Sequence, residues 1–206
     1  MKLLAATRSA GKQREFRRVL EPAGLAVVFP DDIGLYPGPA EDSLELGETF
    51  EANARRKAEH FARLGGLPTV ADDSGLEVLS LGGAPGVRSR RWAGAIGTEA
   101  EVDAANNVEL LRRLAGATGA RRGARYRCVL VYLAHPGAVP AVFEGACAGR
   151  ILEAARGEGG FGYDPYFFSD ELGKTFGEAT ADEKDAVSHR GRALRALVHT
   201  LAPAHP

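Results

Sequence analysis

Short apolar runs alternate with helical stripes along the whole chain, and this alternation constrains the fold more than any other feature. Leu3-Leu4-Ala5-Ala6 reads as a buried strand, and a small-residue turn then opens a helix with Phe16, Val19 and Leu20 on its apolar face. Residues 25–29 form a second strand candidate, and the proline-, glycine- and acid-rich stretch 30–48 reads as a loop. Thr49 caps a helix with the stripe Phe50, Ala54, Ala58, Phe61 and Ala62. Leu67-Pro68 breaks that helix, and residues 69–71 make a short strand ending at Asp72-Asp73-Ser74-Gly75. Thr98-Glu99-Ala100-Glu101 is a capping box opening a helix with Val102, Leu110, Leu111 and Leu114. Residues 125–134 and 139–148 read as two antiparallel strands turning at His135-Pro136-Gly137. A second capping box, Thr180-Ala181-Asp182-Glu183, precedes a closing helix through Leu194, Leu197, Val198 and Leu201. The mixture predicts an α/β protein with a mixed sheet, without repeat or linker.

Charge and composition remove several functions. The 206 residues carry 26 Lys+Arg against 27 Asp+Glu, a net charge of −1, which argues against a sequence-blind nucleic-acid binder. No apolar run approaches the roughly 18 residues of a membrane span, and the start is apolar too briefly for a secretory signal. The 2 cysteines, Cys128 and Cys147, lack metal-type spacing and read as reduced thiols, which suits a cytoplasmic protein. Glycine is in excess, with 26 residues, close to twice the roughly 7% average.

Much of that glycine lies beside residues that can carry chemistry. In Thr7-Arg8-Ser9-Ala10-Gly11-Lys12 a strand enters a helix, so free N–H groups, the helix dipole and a lysine suit a phosphate; an ordinary strand-to-helix turn is the alternative. It is not a Walker A loop, since Gln13 follows the lysine. Asp72-Asp73 at a strand end offers oxygen ligands to a cation such as Mg²⁺, or an Asx-type turn. Asp73-Ser74-Gly75 has the form of an aspartic-protease motif, but such a site pairs two copies and this chain has one. Asn53 and Lys57 stand one helical turn apart, where the lysine reaches a phosphate or simply solvent. Phe161, Tyr163 and Asp164 sit among glycines at 157–162, an arrangement suited to stacking a base or to a buried turn. Lys184 and Ser188-His189-Arg190 gather donors near a helix start.

In this order the pieces resemble the Ham1/RdgB family of inosine triphosphate pyrophosphatases, which act on non-canonical purine nucleotides. The resemblance runs from Ala6 to about Leu197. It is carried by Glu48-Thr49-Phe50-Glu51-Ala52-Asn53-Ala54, by Ala71 to Gly75 with Leu81-Gly82-Gly83-Ala84-Pro85-Gly86, by Gly159-Gly160-Phe161-Gly162-Tyr163-Asp164-Pro165, and by Ser188-His189-Arg190. It implies one ITPase-like catalytic domain over residues 1–206, two lobes around a long mixed sheet with the active site in the cleft between them, and a homodimer. The implied reaction is Mg²⁺-dependent hydrolysis of ITP, dITP and XTP to the monophosphate and pyrophosphate. By the same resemblance Thr7, Arg8, Ser9, Ala10, Gly11 and Lys12 hold phosphates and Lys57 adds a cation. Glu45 and Asp73 bind Mg²⁺, with Glu41 the alternative in the acidic loop; Asp73 also activates water, and Ser74 touches substrate. Phe161, Gly162, Tyr163, Asp164, Lys184, His189 and Arg190 form the base and phosphate pocket. The first turn departs from the family's usual Thr-Gly-Asn, since Arg8 and Ser9 follow Thr7.

Selectivity is expected at the purine 6-position. Donors from His189 and Arg190 pair with a keto oxygen but face another donor when adenine enters, a mismatch that discriminates by orders of magnitude. A related pyrophosphatase for modified pyrimidines, or a nucleotide sensor without catalysis, would share the phosphate-binding part; Asp72-Asp73 and Lys57 argue against the sensor.

Overall fold

Leu3, Ala5 and Val70 point one way from their strands and Leu4, Ala6 and Ala71 the other, as the twofold alternation of extended chain requires. A computed structural model of the chain describes residues 1–201, apart from the side chain of Asp42. The C-terminal limit of the expected domain, residue 206, and the Asp42 charge of the acidic loop lie outside the described residues. The elements are β1 (Lys2–Ala5), α1 (Ala10–Leu20), β2 (Ala26–Val28), α2 (Phe50–Gly65), β3 (Thr69–Val78) and α3 (Glu99–Arg113). They continue with β4 (Gly123–Leu133), β5 (Ala141–Ile151), β6 (Phe167–Ser169), β7 (Lys174–Thr175), α4 (Ala181–Val187) and α5 (His189–Leu201).

The fold is α/β with a mixed seven-stranded sheet of order β2-β1-β3-β4-β5-β6-β7. β1 runs parallel to β2 and β3, joined through α1 and α2, whereas β5, β6 and β7 pair antiparallel. Two compact units share the chain: one of Met1–Asp73, Cys128–Gly145 and the residues from Arg190, the other of Ser74–Arg127 and Ala146–His189. In the first unit Phe16, Leu20, Leu194 and Leu197 from α1 and α5 cover one sheet face. Ala54, Ala58 and Phe61 of α2 cover the opposite face. The second unit has its own core, with Leu110, Leu114, Tyr126, Phe167 and Phe176. Each core takes large apolar side chains out of water at about 1.5–3 kcal/mol apiece. Among the described residues no helix is long and apolar enough to cross a membrane.

Three local expectations need correction. β3 does not stop at Asp72 but continues to Val78, because cations meet both carboxylates and neither has to reach solvent. The acidic stretch is not wholly irregular and holds 3₁₀ turns at Asp31–Ile33 and Pro39–Ser43. The C-terminal helical segment is broken at Ser188, which is extended (ψ 155°) and separates α4 from α5.

Candidate active site

β3 carries its two carboxylates to opposite faces. Asp72 points toward α1 and α5, where its Oδ2 accepts from Arg190 Nε and Nη2, both at 3.1 Å, and lies 3.0 Å from Lys12 Nζ. Arg190 also donates through Nη1 to Glu15 of α1. Burial would raise the Asp72 pKa, but Lys12 and Arg190 outweigh it and hold the carboxylate ionised, well below the usual range.

Asp73 points toward α2. Its Oδ2 accepts from Asn53 Nδ2 at 2.8 Å, and its Oδ1 lies 3.8 Å from Lys57 Nζ. Lys57 and Asn53 share a helix face because they are four residues apart, and Thr49 caps that helix by accepting from Ala52 N. Lys57 Nζ reaches Glu45 at 2.6 Å. The acidic loop is thereby fixed at two points, since Asn53 Oδ1 also accepts from Gly47 N at 2.7 Å.

The electrostatics separate the two carboxylates around Lys57. Chiefly through Lys57, Glu45 is lowered to about 2. Asp73 moves up, because its burial outweighs the attraction of Lys57 and Lys12. Burial works against the Lys57 charge, but Glu45, Asp73 and Asp72 more than restore it, so its pKa rises. The two carboxylates beside Lys57 are therefore shifted in opposite directions, Glu45 down and Asp73 up.

Among the described residues no three His, Cys, Asp or Glu side chains form a metal cage of their own. Mg²⁺ is held by one or two carboxylates and completes its shell with waters and phosphate oxygens, so Glu45 and Asp73, both within 4 Å of one ammonium, fit that requirement. The alternative Glu41 is differently engaged: both its oxygens accept from Arg8, Oε2 from Nε at 2.8 Å and Oε1 from Nη2 at 2.7 Å.

Thr7, Arg8, Ser9, Ala10, Gly11 and Lys12 lie at the β1–α1 junction, with Ser9 as N-cap and Ala10 opening the helix. The Ser9 side chain makes no capping hydrogen bond, while Thr7 Oγ1 accepts from Ser9 N at 3.3 Å. Arg8, expected at a phosphate, turns to the acidic loop, where it meets Glu41, Asp31 and the Leu35 carbonyl. Local carboxylates outcompete any outward orientation of that guanidinium.

The second unit holds another cluster. Lys184 Nζ in α4 donates to Asp164 Oδ2 at 2.6 Å and lies 4.7 Å from the centre of the half-buried Phe161 ring. Phe161 N donates to the same oxygen at 2.8 Å. Gly160, with φ +77°, passes so close to Asp164 that an added Cβ would stand 2.1 Å from Oδ2. Gly162 is held at both ends of its backbone by α3: its N donates to Asp103 and its O accepts from Asn107. His189 lies flat against Tyr126, ring centres 4.6 Å apart and 8° from parallel. Ser74 continues β3 immediately after Asp73.

Two expected contributors to the base pocket are placed otherwise. Tyr163 is 3% exposed and donates its hydroxyl to the Ser89 carbonyl, so its ring packs in the core and offers no open face. Arg190 is 2% exposed and directs its guanidinium to Asp72 and Glu15 in the first unit. At Gly157 the buried-turn alternative holds: an added Cβ would meet the Gly177 backbone at 2.1 Å, so this glycine serves packing of the chain on itself. Glu15, Asp103 and Asn107 carry no sequence signal as site residues, since their partners are distant in sequence, and the bond from Asn53 to Asp73 likewise emerges only in the fold.

These features define an α/β protein with a carboxylate–lysine centre suited to a metal–phosphate ligand and a separate aromatic–carboxylate–lysine cluster. The chain belongs to the Ham1 family, whose model matches residues 3–200. It is 46% identical to a dITP/XTP pyrophosphatase of Thermus thermophilus, covering 100% of this chain and 94% of that protein. It is 46% identical to the dITP/XTP pyrophosphatase of Ralstonia nicotianae, covering 97% and 96%. Its fold matches a HAM1 protein from Coxiella burnetii with TM-score 0.83 and 34% identity, over 98% of each chain.

Proposed function

We propose that this protein is a nucleoside triphosphate pyrophosphatase that hydrolyses dITP, XTP and ITP to the monophosphate and pyrophosphate, clearing non-canonical purines from the nucleotide pool. The observation that carries the reading is Lys57 held between Glu45 and Asp73, with Asn53 fixing the second oxygen of Asp73. The dITP/XTP pyrophosphatases to which the chain is similar over nearly its whole length support the substrate class.

Lys12, Lys57 and the start of α1 meet the charge of the triphosphate and of the departing pyrophosphate. Asp73 Oδ1 accepts a proton from the attacking water, and its burial-raised pKa makes it the stronger base of the two carboxylates around Lys57. Glu45 and Asp73 would hold Mg²⁺, which when bound neutralises phosphate charge. No covalent intermediate is required. Phe161 gives the base a flat apolar face, while Lys184 and His189 offer donors to the 6-keto oxygen. Arg190 leaves this donor set and instead supports Asp72, the partner of Lys12. A single catalytic domain of two lobes, a homodimer and a cytoplasmic location complete the reading.

Identification of the products decides it. Incubation with dITP should give dIMP and pyrophosphate in equal amounts. Orthophosphate and dIDP would contradict the assignment of the cleaved bond.

A further inference from the structure

Tyr126 lies in β4, is 7% exposed and touches two members of the second unit's cluster. Its hydroxyl donates to Asp164 Oδ1 at 3.3 Å, and its ring lies nearly parallel to His189. It also packs on Phe167 at 4.7 Å and Phe176 at 5.9 Å between ring centres. A phenylalanine would fill the same aromatic space, so packing alone does not account for the hydroxyl. A buried hydroxyl is costly unless it has a partner, and this one finds Asp164. Burial, reinforced by the Asp164 charge, raises the Tyr126 pKa far above the ordinary value, so the group stays a donor throughout the working pH range.

The consequence concerns the plane of a carboxylate. Asp164 Oδ2 is fixed by Lys184 and by Phe161 N, while the tyrosine hydroxyl addresses Oδ1. Donors on both oxygens fix rotation about the Cβ–Cγ bond, and stacking on the same tyrosine sets the plane of the His189 ring. We infer that Tyr126 is a positioning residue for purine recognition, orienting Asp164 and His189 together without touching the substrate. This rests on the reading, made above, that the Asp164–Lys184–His189 cluster meets the base.

Tyr126→Phe tests it, because the ring and its stacking remain while the hydroxyl is lost. Steady-state kcat and KM for dITP and ATP are measured by pyrophosphate release for wild type, Tyr126→Phe, Asp164→Asn and the double variant, with thermal unfolding of each. At 3.3 Å the hydrogen bond is long, so the expected rise in KM for dITP is about three- to tenfold, with kcat within about twofold. The dITP/ATP ratio of kcat/KM should narrow, and the double variant should be no worse than Asp164→Asn alone, since the hydroxyl acts through that carboxylate. A merely structural hydroxyl would lower the unfolding temperature and the active fraction but leave KM and the substrate ratio unchanged, and that result overturns the inference. Effects that multiply in the double variant overturn it as well. If Asp164→Asn itself leaves the ratio unchanged, the base-recognition reading fails and the inference falls with it. A narrowed ratio in Asp164→Asn beside an unchanged one in Tyr126→Phe defeats the inference alone.

Discussion

Removal of the Arg190 guanidinium should destabilise the first unit more than it impairs contact with the base. The group is 2% exposed, donates twice to Asp72 at 3.1 Å and once to Glu15, and both carboxylates are buried with it. Taking one partner from a buried ion cluster costs about 3–5 kcal/mol, because the remaining charges keep their desolvation penalty. Lys12 still faces Asp72 at 3.0 Å, so Arg190→Met belongs at the lower end, about 3 kcal/mol. With a urea m-value of about 2–3 kcal/mol per molar, the unfolding midpoint should fall by on the order of 1 M. Tryptophan fluorescence reports on Trp92 in the second unit, so far-UV circular dichroism should be followed in parallel. Glu15→Met combined with Arg190→Met removes one buried carboxylate along with the cation, and should recover part of the loss. An unchanged midpoint with a raised KM for dITP would refute the reasoning and return Arg190 to the substrate.

Asn53→Ala removes the 2.8 Å bond to Asp73 and the 2.7 Å bond from Gly47; kcat for dITP should fall about 10- to 100-fold, as when support behind a metal-site carboxylate is lost. Gly160→Ala should lower the unfolding temperature well beyond Gly162→Ala, although both glycines have positive φ, because only at Gly160 does the new methyl strike Asp164; equal losses in the two variants would deny that contact. Chelation with EDTA should abolish pyrophosphate release from dITP and added Mg²⁺ restore it, and activity that survives complete chelation removes the metal from the mechanism.

The fold was legible where the local signal agreed with the packing. The capping boxes at Thr98 and Thr180, the Thr49 cap and the alternation through Leu3–Ala6 each made the element that their pattern specifies. β3 was underestimated because Asp72-Asp73 looks like a terminus until the cations of α1, α2 and α5 are seen on either side of the strand. The candidate site followed a similar division. Lys57, Asp73, Lys184 and Asp164 are side chains whose types and spacing suggest phosphate, metal or base chemistry, whereas Glu45 enters only through the family resemblance; the fold sets Lys57 beside Glu45 and Asp73, and Lys184 beside Asp164. Arg8, Tyr163 and Arg190 enter the expected site through the family resemblance, and in the structure each has a partner remote in sequence that no local pattern announces: Glu41, Ser89 and Glu15. Tyr126 had no local signal, since its relation to Asp164 and His189 arises only from tertiary packing.

If Asp73 drives pyrophosphate release from 6-keto, non-canonical purine nucleotides, kcat/KM for dITP, XTP and ATP on wild type and Asp73→Asn will show it, with folding verified by thermal unfolding. The expected result is efficient turnover of dITP and XTP, a rate on ATP lower by orders of magnitude, and loss of turnover in a folded Asp73→Asn protein. Equal rates on ATP and dITP, or near-normal turnover by Asp73→Asn, would contradict it.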